Sequence, residues 1–369
     1  MIRVLHVLDK ICVNSGASRV VMNYYGKLDH NILTFDFMLN EEPDAETRAY
    51  IEAKGSKIFI MPGLRAANTF KYIRALKEFY KTHDYKIVHG HVANSAVFYL
   101  GLARKYVPFR IIHSHNTKSA DILWKRLRNW VLTRFIRCEC VANRYVACSM
   151  DAAEFLFGTA GGASDVLIVN NAVDIESFLY NANKRDSLRQ KLSLDDKPVV
   201  GHVGRFCAQK NHGFLIDFFA ELYDTMPNAI LLLIGDGELY DSVVEKVAKL
   251  GLSDAAIFTG AVNNVQDYMS AMDVFVLPSL FEGLPLTGVE AQVNGLPCVF
   301  SDRVTLEVKI SDGTSFLPLG CKGLWVEEIS RMLSDGRVSA GDIRMDEFDI
   351  GSQVKRLEAF YEGLLGGGY

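Results

Sequence analysis

The stretch Asp273-Val-Phe-Val-Leu-Pro-Ser-Leu-Phe-Glu-Gly-Leu-Pro-Leu-Thr-Gly-Val-Glu290 sets a short apolar run directly before a turn and a helical segment. Residues 273–277 are rich in apolar and β-branched side chains, which predicts a buried strand. Gly283 and Pro285 then interrupt the chain before a helix that we expect to begin near Leu286 to Thr287. Because a strand followed by a helix is the repeating unit of a parallel sheet, this stretch predicts an α/β fold.

The same alternation extends outward from this stretch in both directions. Predicted strands lie at 2–8, 32–38, 57–61, 86–90, 109–113, 144–148, 198–203, 229–234, 273–277 and 297–300. Predicted helices lie near 17–27, 68–82, 93–106 and 121–137. Residues 170–197 between the two series are polar, and we expect them to be irregular.

The pattern predicts two Rossmann-like, doubly wound domains that face each other across a cleft. We place the first domain at 1–171 and the second at 172–349. Ligands of open parallel sheets bind beyond the carboxyl ends of the strands. Functional side chains should therefore lie just after strands.

Composition and charge exclude several classes of protein. The chain of 369 residues has 40 Lys and Arg against 44 Asp and Glu, a net charge of −4 that makes a nucleic-acid partner unexpected. Its longest apolar stretches, 96–103 and 229–234, fall far short of the roughly 18 residues that would span a bilayer. Charges interrupt residues 1–10 before they could act as a secretory signal. Cysteines without a CxxC pair predict reduced thiols and a cytoplasmic protein.

Glu282 and Glu290 flank the predicted helix start. Free backbone N–H groups and the positive end of the helix dipole suit a diphosphate at this point, and Thr287 adds a hydroxyl. One carboxylate would suit sugar hydroxyls and the other a ribose diol. The alternative is that Glu282 only favours the helix start and that Glu290 is solvated, but the strand, turn and helix context favours a binding site.

Two basic residues follow the strand predicted at 198–203. Arg205 and Lys210 flank a short turn, where a planar guanidinium and a compact ammonium would neutralise a departing diphosphate. Basic residues on surface loops are common, which is the alternative. Their position at the carboxyl end of a strand favours the functional interpretation.

The N-terminal half offers weaker signals. The turn around Gly16 follows the first strand and opens a helix, which is compatible with phosphate. His113 and His115 end another strand, and one or both should lie near the cleft. A structural role or a metal pair is the alternative, and no companion carboxylates support a metal. His89 and His91 end a further strand, and we interpret them as structural.

Together these residues resemble glycosyltransferase family four, whose members have the GT-B fold. The resemblance rests on Gly204-Arg205 with Lys210, Ile234-Gly-Asp-Gly-Glu238, Asp273 to Ser279, and Glu282 to Glu290. It covers nearly the whole chain, since Asn171 to Asp174 is similar to the family's interdomain segment. The resemblance also implies a closing helix, about 350–365, that packs back on the first domain. The run Cys298 to Lys309 looks closest to bacterial exopolysaccharide and capsule transferases.

The resemblance implies a role for each site residue. Arg205 and Lys210, with Gly204 beside them, would hold the donor diphosphate, and His115 would touch the transferred sugar. The remaining implied donor contacts are Glu282 and the backbone of Gly283, Leu284, Pro285 and Leu286 to the sugar, Glu290 to the ribose, and the backbone around Val262 to the base. The first loop departs from the family, because Ser15 and Ser18 stand where a Gly-Gly pair and a following Glu are usual.

The implied activity is transfer of a hexose or N-acetylhexosamine, with retention of configuration, from a nucleotide diphosphate sugar, expected to be a UDP-sugar. The expected acceptor is a lipid-linked glycan in exopolysaccharide or capsule biosynthesis. We expect no cofactor and no metal, because basic side chains and a helix start meet the diphosphate charge and no DxD motif follows a strand.

Two other activities remain open at this point. One is a nucleotide-sugar epimerase of the same architecture, and the other is a non-catalytic nucleotide-sugar-binding protein of a polysaccharide assembly. A nicotinamide dehydrogenase is disfavoured because no strand precedes a G-x-G-x-x-G motif, and Gly235-Asp-Gly237 stops short of one.

The segment 118–144 differs from the rest of the chain in charge, with an excess of five positive charges. Its apolar residues, Trp130 among them, recur at helical spacing, and a basic amphipathic helix of this kind binds anionic membranes. The alternative is a core-facing helix with a solvated basic rim. The sequence thus predicts peripheral contact with the inner face of the plasma membrane.

Overall fold

The computed structural model describes residues 1–12, 16–64, 66–115, 140–158, 166–339, 341 and 343–367. The chain divides into two compact units. The first comprises Met1–Ala172 with Ile350–Tyr369, and the second comprises Val173–Asp349. Each unit is built on one parallel β-sheet.

The first unit holds a seven-stranded sheet in the order β3-β2-β1-β4-β5-β6-β7, whose described pairs are parallel. Its strands are β1 Ile2–Val7, β2 Leu33–Leu39, β3 Ile58–Ile60, β4 Ile87–Gly90, β5 Phe109–Ser114, β6 Arg144–Ala147 and β7 Val166–Ile168. Its described α-helices are Gly16–Lys27, Ala45–Ala53, Thr69–Thr82, Ala96–Ala103, Met150–Phe157 and Ile350–Gly366. The strand order reverses between β1 and β4, which is the topological switch point of a doubly wound fold.

The second unit holds a six-stranded parallel sheet in the order β10-β9-β8-β11-β12-β13. Its strands are β8 Val199–Val203, β9 Ile230–Ile234, β10 Ala256–Phe258, β11 Val274–Leu277, β12 Cys298–Ser301 and β13 Thr314–Leu317. Its α-helices are Ile175–Phe178, Ala182–Lys191, His212–Thr225, Tyr240–Lys249, Val265–Ala271, Leu286–Val293 and Lys322–Asp335. Here the switch point lies between β8 and β11.

The central strands are largely buried because helices cover both faces of each sheet. β9 and β11 are buried at every position. In the second unit, the fully buried Trp325 stacks on Phe218 with the ring centroids 5.3 Å apart. Burial of each such side chain contributes roughly 1.5 to 3 kcal/mol to the stability of the folded unit. The sheet that carries the site is thereby held in place.

The predicted fold class is confirmed, and the differences lie in short or polar elements. The apolar pattern misses β7, β10 and β13, which are short strands at the edges of their sheets whose side chains are mostly half-buried. The helix predicted near 121–137 lies outside the described residues.

The expectation that residues 170–197 are irregular is wrong, because they hold the helices Ile175–Phe178 and Ala182–Lys191. The second helix packs through polar groups rather than through an apolar stripe. Arg189 is buried on it and donates to the carbonyl of Ala271 at 2.9 Å. A search for helical periods of apolar residues therefore finds no signal there.

None of the described helices is both long and apolar enough to cross a membrane.

Candidate active site

In the second unit, the loops after β8 and β11 meet at the switch point. The loop after β8 carries Arg205 and Lys210, and the loop after β11 carries Glu282. Leu280 N–H donates to the carbonyl of Gln209 at 2.8 Å, and Gln209 Nε2 donates to the carbonyl of Phe281 at 2.9 Å. These bonds join the two loops, so residues more than 70 positions apart lie at one edge of the sheet.

Lys210 and Glu282 form an ion pair at this edge. Lys210 Nζ lies 2.7 Å from Glu282 Oε1, and the side chains are only 14% and 9% exposed. Gln209 Nε2 donates to the other carboxylate oxygen at 3.2 Å. Gln209 was not predicted from the sequence, because nothing in its spacing sets it apart from a surface amide. A largely buried carboxylate depends on these partners, since removal of one partner of a buried pair is strongly destabilising.

Arg205 has a different partner. Its guanidinium donates to Glu238 at 2.8 Å, and both side chains are 54% exposed. The pKa of Glu238 lies below its usual value, first because of its own backbone N–H and then because of Arg205. An ion pair at this exposure adds little to stability, so Arg205 can turn towards an incoming anion at small cost.

Glycines allow the loops after β8 and β9 to pack closely. Gly235 has φ 137°, which side-chain-bearing residues rarely adopt, and a Cβ there would lie 2.1 Å from the carbonyl oxygen of Gly204. A Cβ on Gly204 would lie 2.9 Å from His202 Nε2 and 3.2 Å from the Lys210 side chain. The glycines of the Gly-Asp-Gly segment thus allow close packing against the loop that carries Lys210. This packing role accounts for them without a dinucleotide-binding site.

The helix Leu286–Val293 begins at the predicted residue, directly after Pro285. Glu290 on this helix is fully buried, which excludes the alternative that it is a solvated surface residue. Thr287 Oγ1 is buried without a hydrogen-bond partner in the described part of the chain. Gly283, Leu284 and Leu286 are buried as well. This helix therefore combines the hydroxyl of Thr287 and the backbone N–H groups of its first turn with the buried carboxylate of Glu290.

Gln292, which the sequence analysis did not single out, fixes this helix to the following loop. Its Oε1 accepts hydrogen bonds from Ile310 N–H at 2.9 Å, from Ser311 N–H at 3.0 Å and from Thr314 Oγ1 at 2.9 Å. Its Nε2 donates to the carbonyls of Gly288 and Val308. One buried amide thus satisfies polar groups of three segments and holds the helix against them.

Val262 lies in the loop after β10. Gly235 N–H donates to the carbonyl of Gly260 in the same loop at 2.9 Å, so this loop packs beside the loop after β9. Gly16 is the exposed first residue of the helix Gly16–Lys27, and residues 13–15 before it lie outside the described residues.

In the first unit, histidines from β1, β4 and β5 meet at the switch point. His6 Nδ1 lies 2.9 Å from His91 Nε2, and His91 Nδ1 lies 2.8 Å from His115 Nε2. The rings of His113 and His115 stack with their centroids 4.0 Å apart. His89 Nδ1 lies 2.6 Å from the hydroxyl of Tyr361. His115 is thus one member of a connected group.

Burial keeps these imidazoles neutral. It lowers the pKa of His6 to about 3 and that of His115 to about 4. Burial, with smaller contributions from neighbouring histidines, also lowers the pKa values of His89, His91 and His113 well below the ordinary value. A neutral imidazole can donate one hydrogen bond and accept one.

The histidine group also offers donor atoms that a metal ion could use. One set of three is His6, His89 and His91, and another is His91, His113 and His115, with the ligand atoms of each set within 4.8 Å of one another. The expectation that the protein needs no metal stays a prediction.

A cavity of about 650 Å³ lies at the opposite edge of the second sheet, beside Pro198 and Asp273 at the amino ends of β8 and β11. Its guanidinium groups are occupied: Arg185 donates to Asp273 and to the carbonyl of Met272, and Arg337 donates to several carbonyls. These contacts give the arginines a structural role, so the cavity is not the candidate site.

Comparison with known proteins gives two matches that follow each other along the chain. The pattern described as Glycosyltransferase Family 4 matches residues 14–177. The pattern described as Glycosyl transferases group 1 matches residues 184–337.

Among curated proteins, the chain is 34% identical over 343 residues to EpsF of Bacillus subtilis (strain 168), which carries the name of a glycosyltransferase. That alignment covers 91% of this chain and 88% of EpsF. The chain is 26% identical over 316 residues to a UDP-Gal:alpha-D-GlcNAc-diphosphoundecaprenol alpha-1,3-galactosyltransferase of Escherichia coli, covering 82% of this chain and 79% of that protein.

Solved structures share the fold over almost the whole chain. HepE of Anabaena, solved with UDP and glucose, superimposes with a TM-score of 0.80 at 16% identity, covering 98% of this chain and 100% of HepE. Sucrose-phosphate synthase of Thermosynechococcus elongatus gives a TM-score of 0.81 at 16% identity and covers 100% of both chains. The chain has two doubly wound units, matches both family patterns and is 34% identical to EpsF over 91% of its own length. It is therefore a member of glycosyltransferase family four with the GT-B fold.

Proposed function

We propose that this enzyme transfers a hexose or N-acetylhexosamine from a UDP-sugar to a lipid-linked glycan acceptor, with retention of configuration, in exopolysaccharide or capsule biosynthesis. The observation that carries the proposal is the Lys210–Glu282 pair at the switch point of the second unit. UDP is supported by HepE, whose structures contain UDP and glucose or UDP-glucose. A lipid-linked acceptor is supported by the Escherichia coli relative, whose name gives a diphosphoundecaprenol acceptor.

Lys210 has hydrogen-bonding capacity for both Glu282 and a phosphate. An ammonium carries three N–H donors, so it can keep its bond to the carboxylate and donate to an oxygen of the leaving diphosphate as well. Arg205 supplies a second cation from an exposed position. In this proposal, Glu282 also accepts a hydrogen bond from a sugar hydroxyl. The pair therefore links recognition of the sugar to stabilisation of the leaving group.

The proposed reaction uses no nucleophile of the enzyme. The bond between the sugar carbon and the leaving phosphate oxygen breaks while the acceptor hydroxyl oxygen bonds to the same face of that carbon. The acceptor's proton passes to the leaving phosphate oxygen. Lys210, Arg205 and the start of helix Leu286–Val293 stabilise the negative charge that grows on the diphosphate, which is commonly the largest single contribution to catalysis.

The other site residues take the roles that the resemblance implies. Glu290 binds the ribose, Thr287 lies beside the diphosphate, the backbone around Val262 meets the base, and His115 touches the transferred sugar. The full burial of Glu290 supports its role, because it excludes a solvated position on the surface of the helix. We further propose that segment 118–144 holds the enzyme at an anionic membrane, a role supported by its charge.

Donor binding is tested first, by thermal unfolding of the full chain with UDP-glucose, UDP-galactose, UDP-N-acetylglucosamine and, for comparison, GDP-mannose. A donor present at about 100 times its Kd stabilises the folded state by ~2.7 kcal/mol, which raises Tm clearly. The same donors are then incubated with N-acetylglucosaminyl-diphosphoundecaprenol and with a free oligosaccharide. Release of UDP with the lipid-linked acceptor supports the proposal. A donor that stabilises the protein but yields no UDP with any acceptor would point to a non-catalytic binding protein.

A further inference from the structure

We propose that His6, His91 and Tyr361 position His115, because a continuous chain of hydrogen bonds through them fixes which ring nitrogen of His115 carries its proton. The inference deepens the proposed function, since it rests on His115 as the group that touches the transferred sugar. It assigns a role to residues interpreted as structural or not considered in the sequence.

The chain of contacts has four links. His115 Nε2 lies 2.8 Å from His91 Nδ1, and His91 Nε2 lies 2.9 Å from His6 Nδ1. His6 Nε2 lies 3.4 Å from the hydroxyl of Tyr361, which in turn lies 2.6 Å from His89 Nδ1. His6, His89 and Tyr361 are at most 2% exposed, so water does not compete for the two bonds of the Tyr361 hydroxyl.

The tautomers of these rings depend on one another. A neutral imidazole has one N–H and one lone pair, so a ring that donates through one nitrogen must accept through the other. The direction of the bond at one link therefore dictates the direction at the next. The hydroxyl of Tyr361, on the helix Ile350–Gly366, thus influences the tautomer of His115 through the rings of His6 and His91.

The lengths of the links give the direction. A separation of 2.6 Å is typical of an O–H donor rather than of an N–H donor, so Tyr361 donates to His89 and accepts from His6 Nε2. His6 Nδ1 then accepts from His91, and His91 Nδ1 accepts from Nε2 of His115. The lone pair of His115 is left on Nδ1, a buried atom without a partner in the described part of the chain. His115 is therefore set to accept a hydrogen bond, as from a sugar hydroxyl.

Hydrogen bonds account for these distances better than a shared metal ion does. Two imidazole nitrogens on one tetrahedral ion, each about 2.0 to 2.1 Å from it, lie roughly 3.3 Å apart. The nitrogens of His115 and His91, and those of His91 and His6, are instead 2.8 and 2.9 Å apart. We therefore assign the group to proton positioning.

Substitution of Tyr361 by Phe should remove the preference of the chain for one direction. The variant deprives the N–H at His6 Nε2 of its acceptor, so that N–H is buried without a partner. Reversal of the chain would place an N–H on His115 Nδ1, which also lacks a partner in the described part of the chain. Because each direction then leaves one N–H unsatisfied, we expect His115 to become a mixture of both tautomers.

The direct test is ¹⁵N NMR of the full chain with labelled histidine at pH 7.5, in which the His115 signals are identified by their loss in His115→Gln. The wild type should show a pyridine-type Nδ1 and a pyrrole-type Nε2 for His115, and Tyr361→Phe should show a mixture of both tautomers. Tyr25→Phe is the matched control. Tyr25 is a fully buried tyrosine of the same unit, whose hydroxyl bonds the carbonyl of Ile51 and Ser56 Oγ instead of a histidine.

An unchanged His115 pattern in a folded Tyr361→Phe variant overturns the inference. If that variant does not fold, His6→Gln replaces it, because Gln can donate or accept towards His91 and should leave His115 as a mixture of both tautomers. A single unchanged tautomer in His6→Gln also overturns it. So does stoichiometric binding of added Zn²⁺ with loss of the His91, His113 and His115 signals, because the group would then be a metal site.

Kinetics separates this inference from the proposed function. If both hold, Tyr361→Phe lowers kcat by about twofold with little change in KM, because about half of the molecules keep the lone pair on His115 Nδ1, and Tyr25→Phe has no effect. Full activity of His115→Gln removes His115 from the reaction and refutes its proposed role. The mixture of tautomers in Tyr361→Phe would still be observed in that case, because the NMR measurement requires no turnover.

Discussion

At the scale of single residues, the two basic side chains of the site differ in how their charge is matched before substrate arrives. Lys210 is largely buried and paired with Glu282, whereas Arg205 is half-exposed and paired with Glu238. Both are proposed to meet the same diphosphate. Their substitution should therefore affect turnover similarly and stability differently.

Lys210→Ala and Arg205→Ala should each lower kcat by roughly 100 to 1,000 fold, as the loss of one preorganised donor does elsewhere. Lys210→Ala should also reduce the free energy of unfolding, by at most the roughly 3 to 5 kcal/mol found for fully buried pairs, because Glu282 loses its cation. Arg205→Ala should leave Tm unchanged. Steady-state kinetics and thermal unfolding of the same preparations measure both effects.

Two further variants serve as controls for this comparison. Lys210→Arg keeps the charge but replaces a compact ammonium by a planar fork, so partial activity at best is expected. Arg331→Ala removes an exposed arginine that pairs with Glu328 and Asp335, and it should change neither kcat nor Tm. Near-normal kcat in both alanine variants, with donor binding intact, would show that Lys210 and Arg205 do not take part in catalysis.

At the scale of elements, the helix Leu286–Val293 is short and takes its position from outside itself. Its N-cap residue is Pro285, whose side chain has no hydrogen-bonding group. Gln292 instead connects it to the segment that contains Val308, Ile310 and Ser311. The placement of the proposed diphosphate-binding end thus depends on an amide about two turns away.

Gln292→Leu should destabilise the second unit and weaken donor binding together. The variant leaves the N–H groups of Ile310 and Ser311 buried without their acceptor, and each loss costs roughly 1 to 3 kcal/mol. Urea unfolding measures the first effect, and the KM for the nucleotide sugar measures the second. Gln190→Leu, at an exposed position of another helix, is the control and should show neither. Wild-type urea stability in Gln292→Leu would contradict the anchoring role.

Sequence patterns predicted the elements that carry the donor-side residues, because these elements are local. The strand before Glu282 is a continuous apolar run, and the helix start at Leu286 follows a Gly and a Pro. The histidine group was not predicted, since its members lie on or directly after β1, β4 and β5 and meet only when the sheet forms. Tyr361 and Gln292 were missed because a tyrosine or glutamine within a helix has no distinguishing local pattern.

At the scale of the whole molecule, the buried histidines link folding to pH. In the unfolded chain they titrate near pH 6.5, whereas in the folded chain burial lowers the pKa of His6 to about 3 and that of His115 to about 4. Below pH 6.5 the unfolded state therefore binds more protons than the folded state does. Stability should fall as the pH falls, down to about pH 4 for His115 and pH 3 for His6.

Thermal unfolding at pH 7.5, 6.0 and 5.0 should show this dependence as a falling Tm. Each group that stays neutral in the folded state contributes up to about 1.4 kcal/mol per pH unit once the pH is well below 6.5. His113→Gln should reduce the slope, because it removes a titrating group whose pKa burial also lowers. A Tm that is constant from pH 7.5 to 5.0 would contradict the assignment of these histidines as buried and neutral.

Turnover should persist in EDTA. The proposed charge balance at the diphosphate uses Lys210, Arg205 and a helix start, and so it does not require a divalent cation. The release of UDP is measured in EDTA and again after magnesium or manganese is added. Complete loss of activity that either cation restores would show that a metal takes part.

The path of the chain also sets an order in which the molecule can be completed during synthesis. The second unit is one continuous segment, Val173–Asp349, whereas the first unit needs Ile350–Gly366, which the ribosome makes only after the second unit. Domains fold as units while the chain emerges, so the second sheet can close before the first has this helix. The hydroxyl of Tyr361 reaches His89 only once this helix has been made. A nascent chain that stalls after Asp349 would therefore have a folded second unit and a first unit that lacks the helix Ile350–Gly366.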